Sequence, residues 1–96
     1  MAKVDFNRKF LDVKGKEING NTMGDMIASS LYSGGSIDMP LSPENKFRAY
    51  KICTKLVAQN GIVELDKEDV ELLKDFCSKC FLAGAYGQII ELISGQ

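Results

Sequence analysis

Two cysteines three residues apart, Cys77 and Cys80 in the stretch FCSKC, have the spacing best suited to chemistry in this 96-residue chain. A Cys-x-x-Cys pair serves zinc sites and thiol–disulfide exchange alike. Zinc takes four ligands, and the sequence offers one further cysteine, Cys53, and no histidine. A redox pair belongs at a helix N-terminus, where the dipole lowers the thiol pKa. Here the pair falls late in a helical pattern, where the dipole raises it. Residues three apart share a helix face. Cys77 and Cys80 are therefore expected beside Val70, Leu73, Phe76 and Phe81 on the buried face, where free cysteine acts as a small hydrophobe.

The absence of histidine has wider consequences. It removes the commonest general base, the commonest metal ligand and any Ser-His or Cys-His nucleophile pair. Ser29, Ser30 and Tyr86 have no matched base nearby in sequence. The acidic run DKEDVELLKD lacks the glycine and alternating oxygen ligands of a calcium loop, and helix capping accounts for Asp66 and Asp69. Gly84 and Gly87 lack phosphate-loop spacing. The expectation is a protein that is not an enzyme, with no catalytic residues, no metal and no cofactor.

Charge is balanced overall at −1 but locally segregated. Residues 43–58 carry four cations against one acid, and residues 62–75 carry six acids against two lysines. Two readings follow. Either the two solvated helix faces attract each other weakly across the fold, or Arg48, Lys51 and Lys55 form a patch for an anion or a partner. A second candidate lies in SGGSIDMPLS, where Ile37, Met39 and Leu41 alternate along a connector. Covering the core is the favoured role for these three. If exposed, they make an extended segment suited to docking on another chain.

These residues need elements to position them. Lys9 to Ile18 reads as a hairpin turning at Lys14-Gly15, and Asn19-Gly20-Asn21 is expected to break the chain. Thr22 caps a helix, with Asp25 completing a capping-box pair and Met23, Met26, Ile27, Ser30 and Leu31 on one face. Gly34-Gly35 ends it. Ser42-Pro43-Glu44 is a strong helix start, followed by an apolar stripe of Phe47, Tyr50, Cys53, Leu56 and Val57 that stops at Asn60-Gly61. Ile62 to Leu65 is a short strand expected to join the hairpin. Asp66 caps a helix whose apolar residues run from Val70 to Phe81 at 3.6-residue spacing. Ala83 to Gly87 interrupts it, and a last helix spans Gln88 to about Ile93.

The whole fits a single domain, residues 1–96. Apolar content of 45% and charged content of 26% are those of an ordinary soluble globular chain. No apolar run approaches the roughly 20 residues needed to span a bilayer, and the opening MAKVDFNRKF has no signal-like apolar region. No membrane association and a cytoplasmic location are expected, with an odd cysteine count in keeping. Nucleic acid is an unlikely partner, since no bulk positive field is present.

The order of VDFNRKFLDVKGKEI, TMGDMIASSL, SPENKFRAYKICTKL, VELDKEDVELLKDFC and AYGQIIELI resembles small accessory proteins of tailed phages and prophages. Those open with an Asp-Phe and a D-x-x-G-K-x-I stretch, here Asp12 to Ile18. They close with a Gly-Gln before an apolar helix, here Gly87-Gln88. The resemblance implies a phage-encoded accessory protein of the host cytoplasm and transfers no functional residues. The expected fold is α+β, three or four helices packed on the N-terminal hairpin plus one short strand, with an all-α chain as the alternative. The expected function is protein–protein binding, as a host or anti-defence inhibitor or an assembly factor, with a protein partner that includes the chain itself as a homo-oligomer. The alternative is an oligomeric sponge that sequesters a nucleotide-type messenger on Arg48, Lys51 or Lys55.

Overall fold

The computed structural model describes residues 2–38 and 40–95. Among them the elements run β1 (Ala2–Asp5), β2 (Lys9–Leu11), β3 (Glu17–Thr22), α1 (Met23–Tyr32), α2 (Pro43–Ala58), β4 (Ile62–Leu65), α3 (Lys67–Cys80) and α4 (Ala83–Ser94). The fold is α+β, as expected: four helices and two antiparallel strand pairs among the described residues.

The three helix starts read from sequence all form by the anticipated capping chemistry. The N–H of Asp25 donates to Thr22 Oγ1 at 3.2 Å, that of Asn45 to Ser42 Oγ at 3.1 Å, and that of Asp69 to Asp66 Oδ1 at 2.8 Å. Each satisfies an N–H that the helix itself leaves without a carbonyl partner. The end of α2 is equally local. Asn60 takes φ +52° and Gly61 φ +86°, and the Gly61 N–H returns to the Leu56 carbonyl at 2.8 Å. With the Asn60 N–H on the Val57 carbonyl, this is a Schellman motif.

The strands depart from expectation in two ways. β2 and β3 form the hairpin, with Asp12 Oδ1 accepting from the Lys14 and Lys16 N–H groups and Gly15 at φ +84°. However, β3 continues through Asn19-Gly20-Asn21 as a bulged strand, with Gly20 at φ +134°. They interrupt the register and not the strand: Leu11 lies opposite Glu17 and Lys9 opposite Thr22, so one residue of β2 faces four of β3 between those pairs. Second, β4 does not join the hairpin. It pairs with β1, Val4 opposite Val63 and Ala2 opposite Leu65, as a separate two-stranded ribbon. Val4, Val63 and Leu65 face the core and Lys3 and Glu64 face solvent. β1 has a single β-branched residue, Val4, and so gives no strand pattern of its own.

The ribbon continues into a tight crossing. The Phe6 N–H donates to the Gly61 carbonyl at 2.7 Å, and the Phe6 carbonyl accepts from the Gly24 N–H at 2.9 Å. Three segments thus meet at Phe6, Gly24 and Gly61. A Cβ on Gly61 would lie 2.8 Å from the Asn7 backbone nitrogen.

α4 begins at Ala83 rather than Gln88, so Ala83 to Gly87 is helix and not an interruption. Glycine inside a helix costs about 1 kcal/mol relative to alanine. Burial of Ile89 and Ile93 against the core offsets this, since a fully buried aliphatic side chain contributes roughly 1.5–3 kcal/mol. The core gathers Ile27 and Leu31 of α1, Ile52 and Leu56 of α2, Leu73 and Phe76 of α3, and Ile89 of α4 around Val4, Phe6 and Leu65. Among the described residues no helix is long and apolar enough to cross a membrane.

Candidate functional site

The Cys-x-x-Cys pair divides. Cys77 is fully buried, and burial pushes its thiol up to about 12, with the neighbouring Cys80 adding to the shift. Cys80, expected on the same buried face, is exposed. Residues three apart on a helix are offset by about 60°, and in the last turn of α3 that offset turns Cys80 to solvent while Phe81 packs against the core. Cys53 is buried on α2, its Sγ donating to the Tyr50 carbonyl at 3.1 Å, and burial raises its pKa. The three thiols do not converge, and among the described residues no group of three His, Cys, Asp or Glu side chains is placed to hold a metal.

The basic candidates on α2 also have different fates. Arg48 turns inward to the start of α3. Its Nη1 donates to Asp69 Oδ1 at 2.8 Å and approaches Asp66 Oδ1 at 3.4 Å, while Nη2 donates to Glu68 Oε2 at 2.6 Å. The hydrogen bond to Asp69 raises the Arg48 pKa. Asp66 is held below the usual carboxylate range, first by the N–H of Asp69 and further by Arg48. The attraction between the two charged helices thus resides in one guanidinium clasping the capping box of α3. Lys51 instead extends over the ring of Phe47, its Nζ 5.3 Å from the centroid. Lys55 is exposed. Arg48, Lys51 and Lys55 do line one recess of about 270 Å³, but Glu44, Asp66 and Asp69 line it too. The cations there are balanced by acids.

The connector divides as well. Ile37 is 98% exposed, whereas Leu41 is half-buried against the core. The third candidate, Met39, lies outside the described residues. Covering the core is therefore the work of Leu41 and not of Ile37.

The largest departure from the sequence reading lies on α2. The anticipated single stripe of Phe47, Tyr50, Cys53, Leu56 and Val57 is two stripes. Ala49, Ile52, Cys53 and Leu56 are the buried face. Phe47, Tyr50 and Val57 stand in solvent at 62%, 51% and 70% exposure. The Phe47 and Tyr50 rings stack at 6.5 Å between centroids. On α1, Tyr32 is 73% exposed. It lines a groove of about 910 Å³ between α1 and α2, with Ala28 on its own helix and Cys53, Thr54 and Val57 opposite. Tyr32 and Thr54 had no place among the sequence candidates. The available signal was an excess of apolar positions on α2, more than one buried stripe can take up.

Comparison with protein-family models, with curated proteins and with solved structures yields no match.

Proposed function

We propose that this chain is a non-enzymatic, phage-encoded accessory protein of the host cytoplasm that acts by binding protein through the outward face of α2. Its target is a host or defence factor that it inhibits, a component of virion assembly, or a copy of itself. One observation carries the reading. Phe47, Tyr50 and Val57 are each more than half exposed on the outward face of α2, and Tyr32, exposed likewise, lies across the groove from Val57. Contiguous apolar patches of several hundred Å² mark interaction sites, and aromatic residues dominate the energetics of such sites. A chain without histidine, whose Cys77 thiol is buried and held protonated, supports binding over catalysis.

The test compares the wild type with a Phe47→Ser/Tyr50→Ser/Val57→Ser variant by native mass measurement, alone and after incubation with host lysate. The variant is expected to fold, because surface substitutions usually cost within about 0.5 kcal/mol each. It is also expected to lose every stoichiometric complex, self or foreign, that the wild type forms. Identical complexes for both proteins, or none for the wild type, would overturn the reading.

The alternative, an oligomeric sponge for a nucleotide-type messenger, draws less support. Arg48 is the residue best shaped to grip a phosphate, and it is already held by Asp66, Glu68 and Asp69. Calorimetry silent across a nucleotide panel would remove it.

A further inference from the structure

The outward residues of α2 have a period as well as a polarity. Phe47, Tyr50, Thr54 and Val57 follow one another at three, four and three residues, and all four are exposed. That is the a/d spacing of two heptads, the seam along which one helix packs on another. α2 therefore presents one apolar face to its own core and a second, helix-matching face to solvent.

Resting on the reading that this face binds protein, we propose that its occupant is a second copy of the chain, with the two α2 helices antiparallel across a twofold axis near residue 52. Side-chain size is the first argument. The antiparallel register sets Phe47 against the partner's Val57 and Tyr50 against the partner's Thr54. Each of the four layers then joins one large and one small side chain, the alternation that fills a helix interface evenly. A parallel pair would stack Phe47 on itself and Val57 on itself, crowding one end and leaving the other hollow.

Area is the second argument. An aromatic side chain offers roughly 200 Å², so Tyr32, Phe47 and Tyr50 at their exposures leave about 370 Å². Val57, Thr54 and the stem of Lys51 bring this to roughly 500 Å² per copy and at most about 1,000 Å² for the pair, the lower bound for a biological interface and the range of weak, reversible association. Tyr32 lies beside the seam, across the groove from Thr54 and Val57. The pair thus becomes a four-helix layer, with each α1 flanking the two central α2 helices.

Charge adds a signature. In this register Lys51 of one copy faces the partner's Lys51 across the axis. Because Lys51 already extends over the Phe47 ring, its stem is placed to cover the seam with its ammonium turned to water. The repulsion is screened by salt, so self-association strengthens as ionic strength rises.

Sedimentation equilibrium across protein concentration tests the proposal. The expected mass is twice 10.6 kDa at high concentration, dissociating on dilution and tighter in added salt. A Phe47→Ser/Val57→Ser variant is expected to be monomeric. Lys51→Glu mixed with wild type should give the mixed dimer in preference to either parent. For orientation, Tyr50→Cys and Thr54→Cys are made separately in a Cys80→Ser background, mixed and oxidised. Disulfides should join unlike chains in preference to like ones.

A monomer at concentrations up to about 100 μM overturns self-pairing. If the triple serine variant still loses a foreign complex in lysate, self-pairing alone has failed; if it loses nothing, the protein-binding face has failed as well. A dimer that survives Phe47→Ser/Val57→Ser overturns the seam as its interface. Like-with-like crosslinks overturn the antiparallel register.

Discussion

Replacing Gln88 by alanine would remove the hydrogen bonds that tie the hairpin to α4, leaving Phe10 against Phe81 to hold it there. The Gln88 amide lies against β2 as a single strand residue would, Oε1 accepting from the Leu11 N–H at 2.8 Å and Nε2 donating to the Leu11 carbonyl at 2.9 Å. It ties α4 to a strand 77 residues earlier in the chain. A net hydrogen bond contributes about 0.5–1.5 kcal/mol, and removing one partner costs more only when the other is cut off from water. Leu11 is 42% exposed, so water reaches its freed groups. Gln88→Ala should therefore cost about 1–2 kcal/mol, which for a domain of this size lowers Tm by roughly 5–10 °C. The local effect should exceed the global one, with the Leu11 amide exchanging its proton far faster while core amides follow the change in overall stability.

Gln88→Glu sharpens the test. At neutral pH its carboxylate accepts from the Leu11 N–H but faces the Leu11 carbonyl without a proton, so its folded pKa rises above the usual 4.3 or so. A raised carboxyl pKa gives stability that is present below the unfolded value and lost as pH rises through the folded one. The deficit relative to wild type should thus close on acidification. Thermal melts at pH 4 and 7 read the difference. Unchanged Leu11 exchange in Gln88→Ala, or a Gln88→Glu deficit that ignores pH, would refute the strand-like role.

Three other expectations concern the crossing, the capping box and the thiols. Gly61→Ala should cost about 2–4 kcal/mol, because left-handed strain of about 1–2 kcal/mol is joined by a clash with the Asn7 backbone. Gly15→Ala has the same sign of φ and open space around it. It should cost only the strain, and urea midpoints for the two would separate the contributions. Asp66, whose pKa is depressed, contributes stability present above the usual carboxylate pKa and lost as pH falls through its lowered value. Asp66→Asn should accordingly flatten the acid limb of a urea-midpoint profile from pH 7 to 2. A native thiol titration near pH 8 should find Cys80 alone, with Cys53 and Cys77 reacting only in denaturant. As the Cys77 pKa is raised to about 12, its contribution is complete below the unfolded thiol value and lost as pH climbs toward 12.

What the sequence made legible was local chemistry. Thr22, Ser42 and Asp66 announce their helices because a cap bonds only to N–H groups two or three residues ahead. The turn at Gly15 and the stop at Asn60-Gly61 are local for the same reason. Illegible were the decisions taken at a distance. β1 is a strand because β4 lies beside it, and Ala83 to Gly87 is helical because Ile89 and Ile93 anchor the helix it begins. The buried face of α2 is not legible either, because Cys53 and Leu56 fall at helical spacing with Phe47, Tyr50 and Val57. A helix with two apolar faces offers more than one consistent stripe, and only the positions of its neighbours choose between them. Arg48 showed its charge in the sequence, but its engagement by Asp66, Glu68 and Asp69 depends on how α2 and α3 cross.

The ribbon of β1 and β4 also sets a schedule for synthesis. Ala2 leaves the ribosome 63 residues before Leu65, its partner in the ladder, an interval of roughly 3–13 s at ordinary elongation rates. The hairpin and the first two helices have all been made by then, each closed by neighbours in the chain. Val4 and Phe6 stay only partly sheltered throughout, since α1 and α2 cover one side of them and Gly61, Val63, α3 and α4 complete the core. A pause placed before codon 62 would therefore lengthen the life of a nascent chain with an open apolar floor, the period in which a chaperone or an aggregate competes for it.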